Sequence, residues 1–207
     1  MKIIAIEGNV GAGKSTMLGG LIEWLELATG EHWEYLEEPV DQDPEFLRLL
    51  QLSLADPSNG ENRAKFQWYL TESRQNMLTN LPDGNYIVER TLFADLAFSL
   101  AMINEVVSCG AHYMMMVERI KYALSNYPRI DAVVYLDRDP EACLESIKQR
   151  GREGEEYELH TIEDIKRYHD AVLPQVCRKH NTPLVHIRLG REYACPELVA
   201  DRILGVL

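Results

Sequence analysis

The residues best suited to chemistry form one run, Gly8-Asn9-Val10-Gly11-Ala12-Gly13-Lys14-Ser15, with Thr16 behind it. The run fits G-x-x-x-x-G-K-[ST]. Its glycines let the backbone curl until successive amides point inward, a concavity that binds phosphate oxygens. At this spacing Lys14 should reach the β- and γ-phosphates of a nucleotide, and Ser15 should hold Mg²⁺. So short a pattern also occurs by chance, so its setting matters. Here an apolar run precedes it and a helical pattern follows at once, adding the positive end of a helix dipole. The residues predict a nucleoside triphosphate site.

Other charged groups stand where they could act on that nucleotide. Glu38 follows a short apolar run and precedes Pro39. In an open parallel sheet the carboxyl ends of strands face the ligand crevice, and a carboxylate there could take the proton of an attacking hydroxyl. Glu37, Asp41 and Asp43 crowd the same stretch, so Glu38 also reads as one acidic loop residue among several. Glu89-Arg90 closes the run Tyr86-Ile87-Val88. The carboxylate could hold Mg²⁺ through water and the guanidinium could steady the transferring phosphoryl group; alternatively the two form a strand-end ion pair. Asp137 is the rival acidic residue. Arg150 and Arg152, separated by Gly151, could close planar forks over the phosphates, or be surface charges at a helix end. No N-K-x-D occurs, which excludes a guanine-reading GTPase.

These groups need a scaffold that brings them to one edge. Five short apolar runs read as strands: Ile3–Glu7, Trp33–Leu36, Tyr86–Val88, Asp131–Leu136 and Leu184–Ile187. Helical patterns fill the intervals: Lys14–Leu27, Pro44–Asp56, Glu61–Asn80, Leu92–Asn126 with a break near Cys109-Gly110, then 139–150, 161–180 and 196–206. Strands alternating with helices predict an α/β fold, a five-stranded parallel sheet flanked by helices on both faces. The 207 residues suit one domain, with the polar stretch Arg150–His160 as a short Arg-rich lid. Met114-Met115-Met116 reads as helix-packing surface, and His169 and His180 as solvated on a polar helix face.

Composition narrows the class. Lys and Arg number 21 against 33 Asp and Glu, a net charge of −12, which argues against a nucleic-acid polymer as partner but not against a local anion site. Four cysteines without CxxC spacing fit a reducing compartment. No apolar run approaches the roughly 20 residues of a membrane span. The first residues run directly into the glycine-rich loop, leaving no room for a signal peptide, so a cytoplasmic protein is expected.

Five motifs in order, GNVGAGKS, Glu38-Pro39-Val40, Phe66-Gln67-x-Tyr69, Glu89-Arg90-Thr91 and Arg150-Gly151-Arg152-x-x-Glu155, resemble those of the deoxynucleoside kinases. The resemblance covers nearly the whole chain. It implies a P-loop kinase that moves the γ-phosphoryl of ATP, with Mg²⁺, to the 5′-hydroxyl of a deoxynucleoside. It also implies that Glu38 is the base, Gln67 reads the nucleobase edge beside Phe66, and Arg90 lies at the 5′ oxygen and phosphates. By the same resemblance Glu89 lies near Mg²⁺, Arg150 and Arg152 are lid arginines, Glu155 meets the sugar 3′-hydroxyl, and Gly190–Tyr193 contacts adenine. A homodimer through the helices at 92–127 is implied as well.

Arg74 and Asp95 resemble a pair carried by members that accept deoxycytidine or purine deoxynucleosides. An Asp can accept from an exocyclic amino group, directly or through Arg, whereas thymine O4 offers only an acceptor. Asp43-Pro44-x-Phe46 stands where animal members have a tryptophan at the first position; with Thr91 and Phe98 it is similar to bacterial purine deoxynucleoside kinases. Ser146 takes the place of an arginine that stacks on adenine in animal members, and Leu50 or Leu54 stands near the place of a tyrosine that pairs with the lid glutamate. Purine deoxynucleosides are therefore expected first and deoxycytidine next. One rival is a monophosphate kinase of the thymidylate-kinase type, which would need further cations for the acceptor phosphate. The other is a nucleotide-binding subunit without catalysis, against which Lys14, Glu38 and Arg90 argue.

Overall fold

The computed structural model describes residues 1–37, 43–56, 58–105, 110–152 and 157–207. Its strands are β1 (Lys2–Gly8), β2 (Trp33–Leu36), β3 (Asn85–Glu89), β4 (Ala132–Arg138) and β5 (Leu184–Leu189). They form one parallel sheet, as the alternation of strands and helices predicts, and its order is β2-β3-β1-β4-β5. The helices are α1 (Lys14–Thr29), α2 (Pro44–Ala55), α3 (Gly60–Met77), α4 (Leu92–Glu105), α5 (Gly110–Leu124), α6 (Pro140–Arg150), α7 (Leu159–Lys179) and α8 (Pro196–Leu204).

The strand period of two sorts the core into two layers. Ile3, Ala5, Tyr86, Val88, Val133 and Tyr135 pack on one face with Phe93 of α4, Met116 and Ile120 of α5 and Leu173 of α7. Ile4, Ile6, Ile87, Val134 and Leu136 pack on the other with Leu18 and Leu21 of α1, Ile147 of α6 and Val199 and Ile203 of α8. Each such aliphatic side chain contributes about 1.5–3 kcal/mol when buried. The parallel register pairs Ile6 with Glu89 and Gly8 with Leu136, so β1, β3 and β4 end at one edge.

Local chemistry sets several helix starts. Asp43 caps α2 by accepting from the amides of Glu45 and Phe46, with Pro44 in the first turn. The same carboxylate accepts from the Tyr69 hydroxyl on α3, which pushes the Tyr69 pKa up to about 12 and ties the two helices together. On α5, Met116 enters the core, while Met114 and Met115 stay exposed. Cys143 and Cys177 are buried, free thiols and Cys195 an exposed one; Cys109 lies outside the described residues.

The expectation for the histidines is overturned. His169 is wholly buried: one ring nitrogen meets the Ile165 carbonyl at 2.8 Å, the ring packs edge-on to Phe98, and it stacks on Tyr135. It shares the apolar stripe of α7 with Ile162, Ile165, Val172 and Val176. His180 is half-buried against Phe93. Burial lowers the His169 pKa from 6.5 to about 4. Between these values the unfolded chain binds a proton that the folded chain refuses, so stability present above pH 6.5 is lost as pH falls toward 4. Urea titrations should show the parent losing about 3 kcal/mol more than His169→Gln across that window. Equal acid slopes would assign the titration to another group.

Candidate active site

The loop between β1 and α1 is held from three sides. Gly13, at φ +88°, begins α1, and a Cβ there would lie 2.5 Å from the Tyr193 ring. Gly11, at φ +75°, would drive a Cβ to 2.3 Å from the Cys143 carbonyl of α6. The Asn9 side chain donates to the Ile162 carbonyl at 2.8 Å and accepts from the Val10 amide. Gly8, Val10 and Ala12 are buried in the fold of the loop, and Ser15 and Thr16 face solvent on the first turn of α1.

Lys14 is buried and its Nζ donates to the carbonyls of Gly8 and Asn9 at 3.2 and 2.8 Å. Burial, with Arg90 nearby, pushes its pKa down to about 7 against the pull of Glu89, 3.8 Å away. Ser15 Oγ donates to Glu89 Oε2 at 2.8 Å. Burial raises the Glu89 pKa, but Lys14, Arg90 and the Ser15 bond outweigh it and leave the carboxyl below its ordinary value. A hydroxyl and a carboxylate meeting beside a phosphate-loop lysine make an oxygen donor set that fits Mg²⁺. The rival, Asp137, is engaged elsewhere by Lys166 at 2.6 Å and His186 at 2.9 Å.

Among the described residues expected to meet an acceptor, contacts join Arg90 to Phe98 and Gln67 and Arg74 to Asp95. Arg90 turns at φ +63° and sets its guanidinium 5.3 Å from the centre of the Phe98 ring. Phe66 packs edge-on to Phe46, 5.3 Å between ring centres. Spacings of four and three residues, about two helix turns, place Gln67, Thr71 and Arg74 on the buried face of α3. Gln67 donates to Asp95 Oδ1 at 3.1 Å, and the Arg74 guanidinium bonds to the same oxygen. Asp95 is completely buried in the first turn of α4. Removing one partner of such a pair strands a buried charge, at a cost of about 3–5 kcal/mol.

At the opposite wall Arg138, at the end of β4, donates to the carbonyls of Gly11 and Arg191 and to Ser146 Oγ. Its guanidinium lies 4.1 Å from the centre of the Tyr193 ring, which caps the loop. Arg138 was missed from sequence, although its place at a strand's carboxyl end was a signal. Arg150 is exposed at the end of α6, Gly151 caps that helix at φ +63°, and Arg152 is half-buried. Glu38, with Pro39 and Val40, and Glu155 of the expected lid lie outside the described residues.

A parallel sheet of this order, with a lysine-bearing phosphate loop leaving its central strand, defines a P-loop kinase fold. A deoxyadenosine kinase from M. mycoides with bound dCTP shares the fold with a TM-score of 0.73, covering 99% of this chain and 100% of that one at 23% identity. The family profile described as deoxynucleoside kinase matches residues 4–204, so the chain belongs to the deoxynucleoside kinase family. A deoxyadenosine kinase of Dictyostelium discoideum is 30% identical over 206 residues, 97% of this chain and 77% of the relative. A thymidine kinase of Ictalurid herpesvirus 1 is 29% identical, covering 86% of this chain and 87% of the relative. The protein is an ATP-dependent kinase that phosphorylates a deoxynucleoside. Its relatives' names span purine and pyrimidine substrates.

Proposed function

We propose that this kinase prefers purine deoxynucleosides, accepts deoxycytidine next, and selects the base through Gln67, Arg74 and Asp95. The observation that carries the reading is the buried Asp95 carboxylate, held between Gln67 and Arg74. A base bearing an exocyclic amino group offers this site a donor; thymine offers O4, an acceptor, at the corresponding edge. Asp43 supports the purine side of the reading. Its carboxylate is committed to capping α2 and to Tyr69, so the wall there is built by Phe46 and Phe66 instead of a tryptophan.

In the proposed reaction Glu38, two residues beyond β2 in sequence, takes the proton from the 5′-hydroxyl as that oxygen attacks the γ-phosphorus of ATP and the bond to the β,γ-bridging oxygen breaks, releasing ADP. Arg90 and Lys14 neutralise charge on the transferring group, and Arg150 and Arg152 close over it as a lid spanning about 150–160. Phe98 and Phe66 flank the nucleoside, and Glu155 meets its 3′-hydroxyl. Tyr193, seated on the Arg138 guanidinium, offers a flat surface for the donor's adenine. Mg²⁺ bound by Ser15 and Glu89 would shield the phosphate charges.

A homodimer through α4 and α5 fits the exposed Met114, Met115 and Tyr122 on α5. Among the described residues no helix is long and apolar enough to cross a membrane. The free thiols of Cys143, Cys177 and Cys195 suit a reducing, cytoplasmic setting.

Two measurements test the reading. Glu38→Gln keeps size and hydrogen bonding but cannot take a proton. Its kcat should fall by about 10²–10⁴ with ATP binding retained; a fall below about threefold would leave Glu38 as a loop acid. Arg74→Met with Asp95→Ala, changed together so that neither charge is stranded, should raise kcat/KM for thymidine relative to the purine deoxynucleosides. An unchanged order of preference in the folded double variant would make the pair purely structural.

A further inference from the structure

Glu7 is buried without a role in the chemistry above. It lies on central strand β1, flanked by β3 and β4, on the same face as Ile3 and Ala5, and has no exposed surface. Its Oε1 accepts from the Thr91 amide at 2.9 Å and the Thr91 hydroxyl at 2.6 Å. Its Oε2 has no hydrogen-bond partner among the described residues. Burial raises the Glu7 pKa to about 7, against the opposing influence of Thr91, Arg74 and Arg90. Retaining such a group in a strand core costs stability.

What the carboxylate holds is the corner at Arg90. A non-glycine residue at positive φ costs on the order of 1–3 kcal/mol unless its surroundings over-determine it. Here two successive residues of β1 grip two successive amides. The Ile6 carbonyl accepts from the Arg90 amide at 3.1 Å, and Glu7 accepts from the Thr91 amide. The Thr91 hydroxyl, also fixed by Glu7, lies 3.2 Å from the Phe93 amide in the first turn of α4. The strand thus ends in a fixed left-handed turn that sets the Arg90 guanidinium over Phe98.

We propose that Glu7 is a positioning residue for Arg90, acting through Thr91 to lock the left-handed corner that presents the guanidinium to the reacting phosphate. This rests on the role proposed above for Arg90. Glu7 does not touch the substrates, so its loss should lower kcat and leave ATP affinity nearly unchanged.

The test is a mutant cycle on the full chain, reading kcat with a saturating deoxynucleoside, the Kd for ATP and the thermal midpoint. Glu7→Met should lower kcat at least tenfold with ATP Kd within threefold, and Glu7→Gln, which keeps an accepting oxygen, should recover most of that loss. In an Arg90→Ala background the same Glu7→Met change should alter kcat by less than threefold, because the group it positions is gone. An equal fold-loss in both backgrounds, or Glu7→Gln as poor as Glu7→Met, overturns the inference. If Glu7→Met does not fold, Thr91→Ala against Thr91→Ser makes the same comparison from the other end of the bond. Arg90→Ala with unchanged kcat would remove the reading of Arg90 itself; a large Arg90 effect with an undiminished Glu7 effect would remove only this inference.

Discussion

The parallel pairing of β1 with β3 and β4 is the constraint on which the rest of the molecule depends. Because Ile6 stands opposite Glu89 and Gly8 opposite Leu136, the phosphate loop, the Glu89-Arg90 corner and Arg138 leave the sheet at one edge. Lys14 and Ser15 then meet Glu89 without any long connection having to be ordered. The strand order also puts a switch point between β1 and β3, whose following helices α1 and α4 pack on opposite faces, the kind of place where open sheets bind nucleotides.

Around that edge the protein gathers charges where water is scarce. Glu7, Lys14, Arg74 and Asp95 are all buried. Interactions among them are stronger than in solvent, and each group left alone would be costly. The opposite displacements of Lys14, down to about 7, and Glu7, up to about 7, have burial as their first cause. A nucleotide's phosphates would supply the negative charge that favours the ammonium form of Lys14. The pair proposed to read the base has its own compensation: Asp95 neutralises Arg74 while Gln67 shares the same oxygen.

Much of this was legible in the sequence because some residues answer demands that few others meet. The phosphate loop requires glycine where a Cβ would strike Tyr193 or the Cys143 carbonyl, and those glycines stand in the motif. Strands buried on both faces, such as β1 and β4, show as nearly unbroken apolar runs, and all five strands stand where the short runs place them. The strand order was not legible, because it depends on contacts between distant segments. His169 was misjudged from the polar residues around it, although its spacing from Ile165 and Val172 follows the buried stripe. Glu7 was passed over as the end of an apolar run; a charged residue in a doubly covered strand has to be bonded to something. Arg138 was hidden behind its neighbour Asp137, the more familiar type for a metal site.

The phosphate edge of this kinase serves transfer to an uncharged hydroxyl rather than to a phosphate. The direct measurement is the steady-state rate with Mg-ATP for the four deoxynucleosides and, in parallel, their 5′-monophosphates. At least one deoxynucleoside should react faster than every monophosphate, with deoxyadenosine or deoxyguanosine ahead of deoxycytidine and thymidine last. Turnover of monophosphates alone would contradict it and point to a kinase of the thymidylate type.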